Sequence, residues 1–200
     1  MDIQDIKLKV EGISSLTDAR YCAGMGVQKL GISFDAEGNP SLDLNAFLAV
    51  KGWIEGVTWT GKYLGSSILI FKELVQKFEI SEWVISESLF YNLDLSELDG
   101  LDFCLYFENS KDLNKTNLRG LKGVEIVLGG SLLPENFLDE MGKINIDEVF
   151  LSGIPDAETI IRIHRSYPEI GFSLYSGEEE RPGWMDLSNL QEVLERLEEI

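Results

Sequence analysis

Apolar positions fall in short runs along the whole chain, and most runs end in Gly, Ser or an acid. The runs cover residues 8–10, 29–34, 56–60, 82–86, 102–107, 124–128, 148–151 and 171–174. Eight runs in 200 residues give one per 25, which is room for a β-strand, a helix and two short loops. Helical patterns lie between several of them. Ser15 precedes Leu16, with Asp18 three residues on, an N-cap signature. Residues 66–78 carry Ile70, Leu74 and Phe78 at a four-residue step. Pro134 opens 134–141, which suits a first helical turn. Residues 156–167 and 187–200 are amphipathic throughout, and the last is rich in Leu and Glu. Asn and Gly interrupt 89–98 and 112–121, so these predict short or irregular helices.

The C-terminal half repeats. Val127-Leu128-Gly129-Gly130, Phe150-Leu151-Ser152-Gly153 and Leu174-Tyr175-Ser176-Gly177 each close a run, with Gly129, Gly153 and Gly177 spaced 24 residues apart. Glycine after a strand permits positive φ and close approach of a ligand to the backbone. Eight alternating units without a composition break predict an α/β fold, a single (β/α)8 TIM barrel domain over residues 1–200. A doubly wound open sheet is the rival. It usually has fewer strands, and no GxGxxG opens a helix here.

Composition narrows the function classes. Apolar residues at 44% and charged residues at 26% are ordinary for a globular chain. Seventeen Lys and Arg stand against 35 Asp and Glu, a net charge of −18. That balance argues against nucleic acid and anionic membranes as partners. No stretch has the apolar length of a membrane span. The first residues have neither a basic nor an apolar leader segment, so a cytoplasmic location is expected. Cys22 and Cys104 are far apart and read as reduced packing residues. His164, the single histidine, lies far from both, which disfavours a metal centre or a Cys–His nucleophile. No cofactor is expected. Trp53, Trp59, Trp83 and Trp184 read as packing residues, with Trp59 and Trp184 near enough to strand ends to flank a planar ligand.

Two segments resemble the phosphoribosylanthranilate isomerase family. Lys9-Val10-Glu11-Gly12-Ile13-Ser14-Ser15-Leu16-Thr17-Asp18-Ala19 resembles its opening Lys-Ile-Cys-Gly-Ile-Thr followed by Leu-x-Asp-Ala. Tyr175-Ser176-Gly177-Glu178-Glu179 with Pro182-Gly183 and Asp186 resembles its final Ser-Ser-Gly-Val-Glu…Pro-Gly-x-x-Asp. Phe150–Gly153 matches the strand before a Gly-Gly-Leu…Pro-Glu-Asn motif. Gly129-Gly130…Pro134-Glu135-Asn136 offers a second register for that motif. The resemblance implies a TIM barrel that rearranges an aminoaldose phosphate to an aminoketose, an Amadori reaction of tryptophan biosynthesis. It implies a cysteine base after strand 1, an aspartate acid after strand 6, and phosphate-holding loops after strands 7 and 8.

Carried over residue by residue, Glu11 stands at the base position. A carboxylate can take a proton from carbon beside an iminium. The sixth run ends without an aspartate, which leaves Glu108 or Glu87 as the candidate acid. Gly153, Ser176 and Gly177 match the phosphate loops, where backbone N–H groups bind the anion without a lysine. The arginine the family keeps after strand 2 is missing from 34–40. Glu11, Asp35, Glu37, Glu87, Glu108 and 178–180 would crowd the mouth with acids, against Lys62 and Arg181. That crowding opposes a phosphate dianion. It offers oxygen ligands for Mg²⁺, although no ligand spacing supports such a site. Two functions follow as expectations. One is an isomerase of a phosphorylated amino-sugar with Glu11 as base. The other is a non-catalytic barrel that binds a phosphorylated small molecule or a protein partner. The oligomeric state is open.

Overall fold

The computed structural model describes residues 3–94, 96, 98–108, 118, 120–128, 146–154, 156–177, 179–181, 184–185 and 188–199. Eight parallel strands close into a barrel in sequence order, β1 pairing with β8. They are β1 (Leu8–Glu11), β2 (Lys29–Phe34), β3 (Thr58–Tyr63), β4 (Glu82–Ser86), β5 (Asp102–Phe107), β6 (Gly123–Val127), β7 (Glu148–Ser152) and β8 (Gly171–Tyr175). Six helices are described: α1 (Leu16–Gly24), α2 (Leu44–Trp53), α3 (Ile68–Phe78), α4 (Glu87–Asn92), α5 (Ala157–Ser166) and α6 (Ser188–Glu198). The (β/α)8 expectation therefore holds, and the open doubly wound sheet does not. No described helix is long and apolar enough to cross a membrane.

Most helix starts follow the local chemistry. Ser15 accepts from the Asp18 amide at 3.1 Å, as the sequence predicts. Ser67, Ser86 and Asp156 cap α3, α4 and α5 in the same way. The pattern at 89–98 resolves into the short α4. Helix α2 carries no clear stripe, since Phe47 and Val50 are buried while Leu48 and Trp53 on the same helix are exposed. That mixed pattern hid α2 from the sequence reading, and it leaves Trp53 in solvent rather than in the core. Strand β3 begins at Thr58, after a turn at Gly56 with φ +80°, and runs on through Lys62. The run at 56–60 is thus displaced from the strand, which leaves out the Gly56 turn and takes in Gly61, Lys62 and Tyr63. The loop after β8 contains a small antiparallel hairpin, β9 (Glu179–Arg181) with β10 (Trp184–Met185). Gly129, Gly130, the pattern at 134–141 and most of 112–121 lie outside the described residues.

The apolar core is a shell between the strands and the helices. Leu8, Val10, Leu30, Ile32, Trp83, Ile85, Phe172 and Leu174 are buried there. Trp59 packs edge-on to Phe47 in this shell, ring centroids 5.3 Å apart, so it does not flank the barrel mouth. The side chain of Trp184 lies outside the described residues.

Alternation along a strand sends every second side chain into the barrel. Those inward positions carry charged side chains in two tiers. At the N-terminal end of the barrel, Lys29 Nζ lies 2.6 Å from both Glu82 Oε1 and Glu148 Oε2. Lys122 Nζ lies 2.9 Å from Glu82 Oε2 and 3.0 Å from Asp102 Oδ2. The ring of Phe150 sits above this tier, with Lys29 Nζ 5.2 Å and Lys9 Nζ 5.0 Å from its centroid. Lys9 belongs to the upper tier.

Candidate functional site

Position Glu11 ends β1, where the chain turns through Gly12 at φ +78°. The backbone at Gly31 on β2 makes room for its carboxylate, because a Cβ there would collide with it. Glu11 is 2% exposed. Its Oε1 is 3.0 Å from Lys9 Nζ, and its Oε2 has no hydrogen-bond partner. Lys9 also donates to Glu125 of β6, and Lys62 Nζ of β3 donates to the other Glu125 oxygen at 2.6 Å. Lys62 Nζ stands 4.4 Å from the ring centroid of Tyr106 on β5. Two lysines and two glutamates thus close a neutral quartet in the upper barrel.

The quartet fixes protonation states. Burial raises the Glu125 carboxyl, but the charges of Lys9 and Lys62 outweigh it and hold the group below the ordinary carboxylate range. Burial lowers the Lys9 ammonium, and Glu125 and Glu11 more than reverse this, so its pKa is raised. Glu125 is therefore an anion at neutral pH. It can accept a hydrogen bond but has no proton to donate.

Above the quartet lies a cavity of about 190 Å³. Glu11, Lys62 and Glu125 form part of its wall, and Ser152 at the end of β7 with Gly153 and Ile154 after it form another part. Tyr175 at the end of β8 and Asn189 in the first turn of α6 also line it. The volume falls below the ~300–1,000 Å³ of drug-sized sites, so the space suits one small polar molecule. Gly153 has φ +73° and presents backbone to the cavity.

The other candidates are placed as follows. Ser176 is fully buried and its hydroxyl donates to the Gly12 carbonyl at 2.6 Å. Its amide donates to the Glu11 carbonyl at 2.9 Å, so it stitches β8 to β1 rather than lining the cavity. Gly177 follows at φ +110°, half-buried beside the same seam. Glu108 is exposed just past β5, and Glu87 opens α4; neither is part of the cavity wall. Asp35 and Glu37 are exposed in the loop after β2, where Asp35 accepts from the Asn39 amide at 2.8 Å. The predicted acidic ring thus does not close on the cavity among the described residues, and the side chains of 178–181 lie outside them. Glu125 was missed by sequence reasoning, which looked for an acid only after the strand. The signal was its place between Gly123 and Val127, two residues from each on the face that points inward.

Glu82, Cys104 and Glu148 at the other end of the barrel lie within 4.8 Å of one another, a spacing that suits a metal ion. The Lys29 ammonium already bridges both carboxylates, and Lys122 pairs with Glu82 as well. Burial pushes the Cys104 thiol up to about 12, which keeps it protonated and a poor ligand. Cys22, also buried and unpaired, is pushed up to about 12 by burial and by the charge of Asp18.

No family model and no curated protein sequence matches the chain. Solved structures do. Phosphoribosyl anthranilate isomerase from Thermus thermophilus superposes with a TM-score of 0.69 at 16% identity, covering 96% of this chain and 98% of that one. The enzyme from Pyrococcus furiosus gives 0.70 at 14% identity, over 98% and 100%. A phosphoribosyl anthranilate isomerase in complex with reduced 1-(o-carboxyphenylamino)-1-deoxyribulose 5-phosphate gives 0.75 at 13% identity, over 98% and 100%. The chain has the phosphoribosylanthranilate isomerase barrel fold, end to end.

Proposed function

We propose that this chain is a small-molecule-binding barrel, a single domain of the cytoplasm, that takes a phosphorylated compound between the β7 and β8 ends. The carrying observation is the cavity itself. It joins the Gly153 turn and the first turn of α6, both suited to an anion, to a charge-balanced floor that carries Lys62. The neutral quartet supports this reading, because Lys9 and Lys62 offset the two interior carboxylates that would otherwise repel phosphate. A similar barrel holds a ribulose 5-phosphate derivative. The interior acids act here as ion-pair partners. Glu125 stays ionised, and Glu108 is not part of the cavity wall.

The test is calorimetric titration with inorganic phosphate, on the native protein and on Gly153→Asp. Aspartate tolerates positive φ better than most residues, and its charge beside the Gly153 backbone opposes an anion held there. Saturable binding that disappears in the variant is the expected result. Absence of binding to the native protein, or equal binding to both, overturns the reading.

The orphaned Oε2 of Glu11 favours a second reading, an isomerase of a phosphorylated amino-sugar with Glu11 as base and Glu108 or Glu87 as acid. Loss of anthranilate fluorescence during turnover of phosphoribosylanthranilate, abolished in Glu11→Gln, would establish it. The binding reading expects no turnover above that of the variant.

A further inference from the structure

We propose that Tyr175 is the ring platform of the cavity, against which the phosphorylated ligand lays one face of a sugar-sized ring. The inference rests on the reading that this cavity binds a phosphorylated compound. Along β8, Phe172 and Leu174 are buried in the helix-facing core, so Gly171, Ser173 and Tyr175 face the barrel interior. Tyr175 pairs in register with Glu11 and lines the cavity beside it. It is nevertheless 58% exposed. An inward-facing aromatic with more than half its surface open has a ring face available for contact.

Other inward aromatic rings are already engaged. Lys62 covers Tyr106, and Lys9 and Lys29 flank Phe150. The Tyr175 ring lies over Gly12. Its Cε2 and Cζ lie 2.7 and 3.0 Å from where a Cβ on Gly12 would stand, so only glycine leaves it this seat. The Ser176 hydroxyl ties the Gly12 carbonyl to the same seam. The C–H face of a sugar ring complements the phenol. Ring hydroxyls can accept from Lys62, while the phosphate lies toward Gly153.

The experiment is calorimetric titration with three probes: inorganic phosphate, glycerol 3-phosphate and ribose 5-phosphate. The proteins are the native chain, Tyr175→Phe, Tyr175→Leu and Tyr175→Ala, each checked for fold by circular dichroism. Ribose 5-phosphate is expected to bind the native protein about fivefold to tenfold tighter than the acyclic glycerol 3-phosphate. Phe is expected to keep that preference, and Leu and Ala to abolish it without changing the affinity for inorganic phosphate. A preference that survives in Leu and Ala, or is absent from the native protein while phosphate binds, overturns the role of Tyr175 and leaves the site reading intact. Failure of all three probes to bind the native protein overturns the site reading, and the role of Tyr175 with it.

Discussion

Lys9 is the most deeply buried of the lysines paired inside the barrel. It is fully buried and holds Glu11 and Glu125 at once, with Phe150 beneath it. Removing one member of a buried ionic group leaves the others charged and unpaired, which costs far more than the group contributes as a whole. Lys9→Met keeps much of the length and removes the charge. We expect it to lower unfolding stability by about 3–5 kcal/mol, measured by urea denaturation. Lys9→Met with Glu11→Gln should recover a large part of that loss, because Glu125 then keeps Lys62 as its partner and no unpaired charge remains. A single variant as stable as the native protein would mean that water, not Lys9, balances these carboxylates.

At the scale of elements, glycine and aromatic residues set how closely neighbouring strands and side chains approach. Gly61 of β3 is the in-register partner of Trp83 on β4, and a Cβ on Gly61 would lie 2.5 Å from the indole ring. The indole cannot retreat, because Phe34 stacks on it at 5.6 Å and Phe71 meets it edge-on at 5.2 Å. Gly61→Ala is expected to cost about 1–3 kcal/mol by overpacking and to alter the near-ultraviolet dichroism of the tryptophans. An unchanged denaturation midpoint would show that the β3–β4 face is looser than these distances imply. The same elements show what the sequence could reveal. The strand repeat was legible because each strand keeps an apolar face toward the helices, and the serine and aspartate caps marked several helix starts. The lumen was harder to read. Parallel strands are usually apolar on both faces, so Lys9, Lys29, Lys62 and Glu125 looked like interruptions rather than one inward surface. Glu11 stood out only through a motif resemblance. Its partner Glu125 needed the alternation of β6 and the closure of the barrel, which brings β1, β3 and β6 together across the lumen. Helix α2 escaped because apolar residues occupy both its buried and exposed sides.

For the whole molecule, two electrostatic effects oppose each other. The net charge of −18 repels itself across the surface and disfavours the compact state. The buried tiers favour it only while their carboxylates are ionised. Burial raises the Glu125 carboxyl, and Lys9 and Lys62 overcome that to hold it below its ordinary 4.5. Burial likewise raises the Glu82 carboxyl, and hydrogen bonds from Lys122 and Lys29 bring it below the same value. A carboxyl with a lower pKa in the folded state adds stability that is complete above its unfolded pKa. That stability is lost as pH falls through the folded one. Acid should thus remove the interior contribution below about pH 4.5 while it also relieves surface repulsion. Salt separates the two. At ~0.5 M NaCl the screening length is only a few ångströms, so exposed charges hardly interact, whereas the barrel interior is shielded from the ions. The thermal midpoint at pH 7 should rise from low salt to ~0.5 M NaCl. In the high-salt buffer the midpoint should still fall as pH is lowered from 5 to 3, and the fall should shrink in the triple variant Lys9→Met, Glu11→Gln, Glu125→Gln. An acid response that vanishes in salt would place the pH dependence of this barrel on its surface instead of in its ionised lumen.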